Sequence, residues 1–138
     1  MLVTRSKPAV ALPAVALAVG NFDGVHIGHQ AILARVRAEA QARGLSPALL
    51  TFEPHPREFF APEQAPARLT SLREKLNLLE SSGIDHVYVC HFDARVAALS
   101  AETLATGVSP GNRASSATTW AMRAAKALAC GSASRAAS

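Results

Sequence analysis

Cysteine is nearly missing from this chain. Its 138 residues hold only Cys90, in a strand-like run, and Cys130, near the C-terminus. That excludes a disulfide framework and fits a reducing, cytoplasmic compartment. No apolar run approaches the roughly 20 residues of a membrane helix. Arg5 and Lys7 ahead of the run 8–19, with Ala16-Leu17-Ala18 in place of a peptidase site, imitate a secretory leader. Prolines interrupt that run, however, and cleavage would delete the strand that presents the motif described below. Internal repeats are missing too. Acidic residues are scarce only at one end: residues 1–100 carry ten Lys and Arg against nine Asp and Glu, whereas the last 38 hold four basic residues and Glu102 alone. The formal charge of +4 therefore belongs to the tail, which argues against a nucleic-acid-binding face on the folded part.

What is present reads as alternating strands and helices. Val15-Ala16-Leu17-Ala18-Val19 is a short buried strand, and residues 27–43 have helical periodicity that stops at Gly44. A strand over 47–52, an irregular Pro-rich segment over 53–69, a helix over 70–82 and a strand over 85–90 follow. Thr70 or Ser71 can cap the third-segment helix, its apolar positions 72, 76 and 79 share a face, and Gly83 closes it. Such alternation predicts an α/β fold with a parallel sheet and right-handed crossovers. The ligand then belongs at the C-terminal strand ends.

That is where Gly20-Asn21-Phe22-Asp23-Gly24-Val25-His26-Ile27-Gly28-His29 stands, between the first strand and the first helix. A glycine-bearing turn into a helix offers free N–H groups to a phosphate. His26 and His29, three apart, share a face of the first turn. Two imidazoles beside such a cradle suit a transferring phosphoryl or nucleotidyl group. A solvated pair without a role is the alternative. A zinc pair would need further ligands, and His55, His86 and His91 are scattered with no cysteine cluster, so no metal site is expected. The Gly-x-Gly-x-x-Gly dinucleotide fingerprint is absent.

His-x-Gly-His at a strand-to-helix turn resembles the HxGH nucleotidyltransferases. Leu50-Thr51-Phe52-Glu53-Pro54-His55-Pro56-Arg57-Glu58-Phe59-Phe60 and Arg68-Leu69-Thr70-Ser71-Leu72-Arg73-Glu74-Lys75 narrow the resemblance. Both are similar to the N-terminal FMN adenylyltransferase module of bacterial bifunctional riboflavin kinase/FAD synthetases. Val87-Tyr88-Val89-Cys90-His91-Phe92-Asp93 and Ala97-Ala98-Leu99-Ser100 continue it, over roughly residues 14–104 in all.

The resemblance implies a Rossmann-like sheet of order 3-2-1-4-5, with the first strand central. It implies that the phosphate of FMN attacks the α-phosphorus of ATP, giving FAD and pyrophosphate, with Mg2+ on the ATP phosphates. His26 and His29 would be catalytic, donating hydrogen bonds to the phosphates. Gly20, Asn21, Phe22, Asp23, Gly24 and Gly28 would bind ATP, the N–H groups of the turn and of the start of the helix acting as donors and Gly28 admitting the adenine ring. Glu53, Pro54, His55 and Pro56 would lie on the flavin or phosphate side, with a rigid connector as the plainer alternative. The partners implied are the small molecules ATP and FMN, with neither nucleic acid nor membrane.

The tail departs from that pattern. Residues 105–138 run in Ala, Ser, Gly and Thr, where the family supplies a fourth strand, a further ATP-phosphate motif and a riboflavin kinase domain. Residues 1–104 therefore read as a partial adenylyltransferase domain, its sheet incomplete on the C-terminal side. Read back one base, the codons of residues 116–123 permit Val-Gly-Asp-Asp-Leu-Gly-Tyr-Ala, close to the family's next segment, so an out-of-frame tail is expected after residues 104–110. A native low-complexity extension is the alternative. The chain is then either an adenylyltransferase module, an inactive fragment with weak nucleotide binding at most, or another small HxGH nucleotidyltransferase.

Overall fold

Near-continuous apolar strands are the mark of a parallel sheet covered on both faces, and this chain builds one. The computed structural model describes residues 1–5, 14–65 and 67–99. In chain order these form β1 (Leu2–Thr4), β2 (Val15–Val19), α1 (Ile27–Arg43), β3 (Ser46–Glu53), α2 (Pro56–Phe60), α3 (Leu72–Ser81), β4 (His86–His91) and α4 (Ala94–Ala97). Single 3-10 turns occupy Asp23–Val25 and Pro62–Gln64. The spatial order is β1-β4-β3-β2, with every neighbouring pair parallel. The steps from β2 to β3 to β4 run in one direction and α1 and α3 pack on the same face, the arrangement that right-handed crossovers give.

Strand alternation sends successive side chains to opposite faces. Ala18, Leu49, Val87 and Val89 face Leu33 and Val36 of α1 and Leu79 of α3, forming one core. Val15, Leu17, Val19, Ala48, Leu50, Phe52 and Tyr88 form the other, with Phe92, Val96 and Ala97 packed on it. Helix α1 buries Leu33, Val36 and Ala40, one face at i, i+3 and i+7, and ends at Gly44 in the left-handed conformation (φ 64°). Helix α3 begins with a capping box: the Ser71 hydroxyl accepts from the Glu74 N–H, and the Glu74 carboxylate accepts from the Ser71 N–H. Such a cap contributes about 1 kcal/mol.

The predicted strands and long helices thus appear in the predicted order, within a residue or two at their ends. Two elements differ from expectation. The segment 53–69, expected to be irregular, contains α2 and a 3-10 turn. Helix α2 has five residues, started by His55, whose Nδ1 accepts from the Arg57 N–H at 3.1 Å, and by Pro56 in the first turn. A helix that short is set by its cap rather than by apolar periodicity. Strand β1 was not expected either; its three residues pair with His86, Val87 and Tyr88, and three residues carry no readable alternation. Among the described residues β2 is one edge of the sheet and no helix is long and apolar enough to cross a membrane. The expectations about a fourth strand and residues 105–138 lie outside the described residues.

Candidate functional site

The two segments singled out in the sequence meet at the C-terminal ends of neighbouring strands. Residues 20–29 follow β2 and residues 53–56 follow β3, and β2 and β3 pair in register from Val15↔Ser46 to Val19↔Leu50.

The turn after β2 is shaped by close packing. Gly20 donates its N–H to the Leu50 carbonyl at 3.0 Å. A Cβ on Gly20 would stand 2.8 Å from Cε2 of Phe22, so the glycine makes room for that ring. Phe22, in the left-handed region (φ 50°), is buried, and its ring centroid lies 4.8 Å from that of His29. His29 in turn stacks on His26, with centroids 3.7 Å apart and planes 22° apart. The result is a column of three rings, with Phe22 at its base and His26 exposed at its top. Gly28 serves the same column, because a Cβ there would stand 3.2 Å from Cε1 of His26.

A carboxylate clamps the turn from the side. Asp23 accepts from the Leu69 N–H, the Thr70 N–H and the Thr70 hydroxyl, each at 2.9 Å, and the Thr70 Oγ1 accepts from the Gly24 N–H at 3.1 Å. From the sheet, the buried Thr51 hydroxyl donates to the Asn21 carbonyl at 3.0 Å. Gly24 needs its glycine: φ is 72°, and a Cβ would lie 2.9 Å from Leu69 Cδ1. Burial pushes the Asp23 carboxyl up, but the Leu69 and Thr70 donors and the Lys75 charge outweigh it and hold it below the usual range.

These contacts correct part of one expectation. The N–H groups of Gly20 and Gly24, expected as phosphate donors, are bonded to Leu50 and Thr70. The donors expected at the start of the helix remain. The first bond within α1 runs from the Gln30 N–H to the His26 carbonyl, and no side chain caps the helix. The N–H groups of Ile27, Gly28 and His29 stand ahead of that bond, at the positive end of the helix dipole. Gly20, Phe22 and Asp23 have their described partners inside the chain. Asn21 and His29 each keep a buried polar atom without a hydrogen-bond partner, Oδ1 and Nδ1 respectively.

Burial, and next the stacked His26, bring His29 down to about 4, against the opposing pull of Asp23. At neutral pH its imidazole is uncharged and holds one N–H donor. On the other segment Glu53 precedes a cis peptide bond to Pro54. His55 is held below the usual imidazole value, chiefly by burial. Its Nδ1 accepts from Arg57, so its proton sits on Nε2. Arg68 ties this segment down, pairing with Glu53 at 2.6 Å and with Glu58 at 2.5 Å. The Arg68 guanidinium is the main cause that holds the Glu58 carboxyl below its ordinary value.

Thr51, Arg68, Thr70 and Lys75 belong to the candidate site without being marked as site residues by the motifs. Only Lys75 had a signal: a charged residue inside the apolar stripe of a helix, where it is buried. Among the described residues no three His, Cys, Asp or Glu side chains group to hold a metal ion. The arrangement supplies neutral imidazole donors, free helix N–H groups and flanking fixed charges, which suit an anionic, phosphate-bearing ligand.

Comparison with known proteins agrees with this chemistry. A family model described as FAD synthetase matches residues 10–109. The chain is 51% identical over 86 residues to the bifunctional riboflavin kinase/FMN adenylyltransferase of Escherichia coli K12, covering 62% of this chain and 28% of that relative. It is 49% identical over 82 residues to the Haemophilus influenzae protein of the same description, covering 59% and 27%. The chain thus spans under a third of the length of these relatives. A crystal structure of a macrolide-efflux protein from Streptococcus pneumoniae matches with a TM-score of 0.61 and 23% identity, over 78% of this chain and 38% of that one. That is a likeness of fold alone.

Proposed function

The chain belongs to the FAD synthetase family, and from that premise we propose that its described site serves FMN adenylyl transfer. The phosphate oxygen of FMN attacks the α-phosphorus of ATP. A phosphoanhydride bond forms, the bond from the α-phosphorus to the bridging oxygen breaks, and pyrophosphate leaves with the electron pair, giving FAD. FMN brings its own nucleophile, so the protein's task is orientation and stabilisation of charge on the α-phosphoryl oxygens.

The observation that carries this reading is the juxtaposition at the ends of β2 and β3. On one side stand the stacked His26 and His29 over the open N-terminus of α1. On the other stands the segment Glu53, Pro54, His55 and Pro56, stiffened by two prolines and by Arg68. His26 and His29 donate to the ATP phosphates, aided by the N–H groups of Ile27, Gly28 and His29. Asn21 and Gly24 line the ATP side, while Gly20, Phe22 and Asp23 shape it from beneath. His55, with its proton on Nε2, faces the phosphate of FMN. Magnesium arrives with ATP as part of that substrate. Residues 1–104 act as a partial adenylyltransferase domain in the cytoplasm, and the longer relatives join theirs to a riboflavin kinase activity.

The test is direct. The purified chain is incubated with FMN and Mg-ATP, and FAD and pyrophosphate are measured by chromatography. FAD and pyrophosphate in equal amounts support the reading. Adenylyl or cytidylyl transfer to a non-flavin acceptor would replace it with another HxGH activity. ATP binding without product would replace it with an inactive fragment.

A further inference from the structure

Three consecutive residues, Arg68, Leu69 and Thr70, reach both halves of the site. At one end, the Arg68 guanidinium spreads over two carboxylates from different elements. Its Nη1 pairs with Glu53 at the end of β3 at 2.6 Å, while Nε and Nη2 donate to the two oxygens of Glu58 in α2 at 2.5 and 2.6 Å. At the other end, the Leu69 and Thr70 N–H groups and the Thr70 hydroxyl donate to Asp23, and that hydroxyl accepts from the Gly24 N–H. Between them the Leu69 side chain lies over Gly24, where an added Cβ would meet Leu69 Cδ1 at 2.9 Å. One Cα step is about 3.8 Å, so the residues that grip Glu53 and Asp23 stand within two short steps of each other. The next residue, Ser71, caps α3, whose Leu72, Leu76 and Leu79 pack on the core. The segment is thus anchored at its Thr70 end and reaches outward at its Arg68 end. Stability alone does not account for that reach, because Arg68 is exposed and exposed ion pairs add little. A forked guanidinium fixes direction instead, and it keeps Glu53 and Glu58 from facing each other as bare like charges.

We propose that Arg68, Leu69 and Thr70 form a strap that couples the histidine turn to the segment 53–60, with Arg68 as the positioning residue that sets how His55 stands relative to His26 and His29. This rests on reading the site as one for phosphate transfer, where two phosphates must meet in one geometry. Separate contacts would steady each half on its own. A strap makes the order of one half depend on the other.

The test follows amide hydrogen exchange by NMR in the 138-residue chain. The Gly24 N–H reports on the histidine turn. The Glu58 and Ala61 N–H groups, bonded to the His55 and Arg57 carbonyls, report on the other half, and the Leu45 N–H, bonded to the Ala40 carbonyl at the far end of α1, is the reference. Arg68→Ala removes no bond of the turn itself, yet it should speed exchange at Gly24 by about threefold or more relative to Leu45. Thr70→Val should in turn speed Glu58 and Ala61 more than Leu45. Changes confined to the half that lost its contact would overturn the proposal. So would an equal rise at Gly24 and Leu45 in Arg68→Ala, which would mean general destabilisation. If Arg68→Ala does not unfold cooperatively, Arg68→Gln takes its place, and failure of both makes the arginine structural and ends the proposal. FAD formation is measured separately. In a chain that makes FAD, Arg68→Ala should lower kcat by about tenfold and change the KM for ATP less; an unchanged kcat would overturn the positioning role. Coupled exchange in a chain that makes no FAD supports the strap and counts against the flavin reading alone.

Discussion

Thr70→Val isolates the clamp that fixes the histidine turn. Valine matches threonine in shape, so packing stays the same and only the hydroxyl is lost. Two hydrogen bonds go with it: the one donated to Asp23 at 2.9 Å and the one accepted from the Gly24 N–H at 3.1 Å. A hydrogen bond to a charged acceptor contributes about 1.5–3 kcal/mol, and an N–H left without a partner costs about 1–3 kcal/mol. Both sites are only part-buried, so water recovers some of each loss. The lower ends of the two ranges together give about 2.5 kcal/mol. In a domain of this size that corresponds to a fall in Tm of about 10 °C or more.

Urea unfolding followed by circular dichroism measures the difference, with Thr70→Ser as the control that keeps the hydroxyl. A cycle with Asp23→Asn separates the shared interaction, because the amide places a donor where Leu69 and Thr70 already donate. The two single changes should be coupled by about 1 kcal/mol or more. A Thr70→Val chain within about 0.5 kcal/mol of the parent, the range of an ordinary surface change, would refute the clamp. The turn would then owe its shape to Phe22 and the sheet alone.

The parts of the fold that could be read in advance are those with a period. β2, α1, β3, α3 and β4 each carry either an apolar run or a stripe, and their order follows once parallel crossovers are assumed. The meeting of residues 20–29 and 53–56 followed as well, because they come directly after two adjacent strands. What escaped was decided by contacts between segments distant in sequence. Nothing local says that Asp23 faces Leu69 and Thr70, 46 and 47 residues away, or that Gly20 and Gly24 give their N–H groups to Leu50 and Thr70. The glycines suggested part of a phosphate cradle, yet packing uses Gly20 to seat Phe22 and Gly24 to pass Leu69, and of the expected donors only those at the start of α1 are left. Helix α2 escaped because five residues held by a histidine cap have no period to read. Lys75 was legible in principle, since a charge in an apolar stripe is an anomaly.

The remaining predictions probe the turn, the latch and the protonation of the site. Gly24→Ala forces a Cβ at φ 72° against Leu69 and should cost about 1–2 kcal/mol by urea unfolding; a neutral result would show that the turn can relax. Gly28→Ala should raise helix stability by up to about 1 kcal/mol while displacing the exposed His26 ring, seen as a changed ring-current shift at His29. Arg68→Ala removes exposed ion pairs and should cost under about 1 kcal/mol, yet amide exchange across residues 53–60 should speed up; unchanged exchange would mean the prolines suffice. The pH dependence of stability follows from His29. Its folded value lies near 4 and its ordinary value is 6.5, so between these limits the unfolded chain binds a proton that the folded chain does not. Stability therefore rises with pH across that window. The contribution is complete above about pH 6.5 and is lost as pH falls toward 4, and His55, lowered in the same direction, adds to the slope. His29 is only partly buried, so the effect is smaller than full burial would give. Urea midpoints measured from pH 7 to pH 4 should fall for the parent and fall less for His29→Gln, which cannot take up the proton. Equal slopes in the two chains would show that His29 is no more reluctant to protonate in the folded protein than in the unfolded one, and the stacked, desolvated imidazole would lose its basis as a neutral donor.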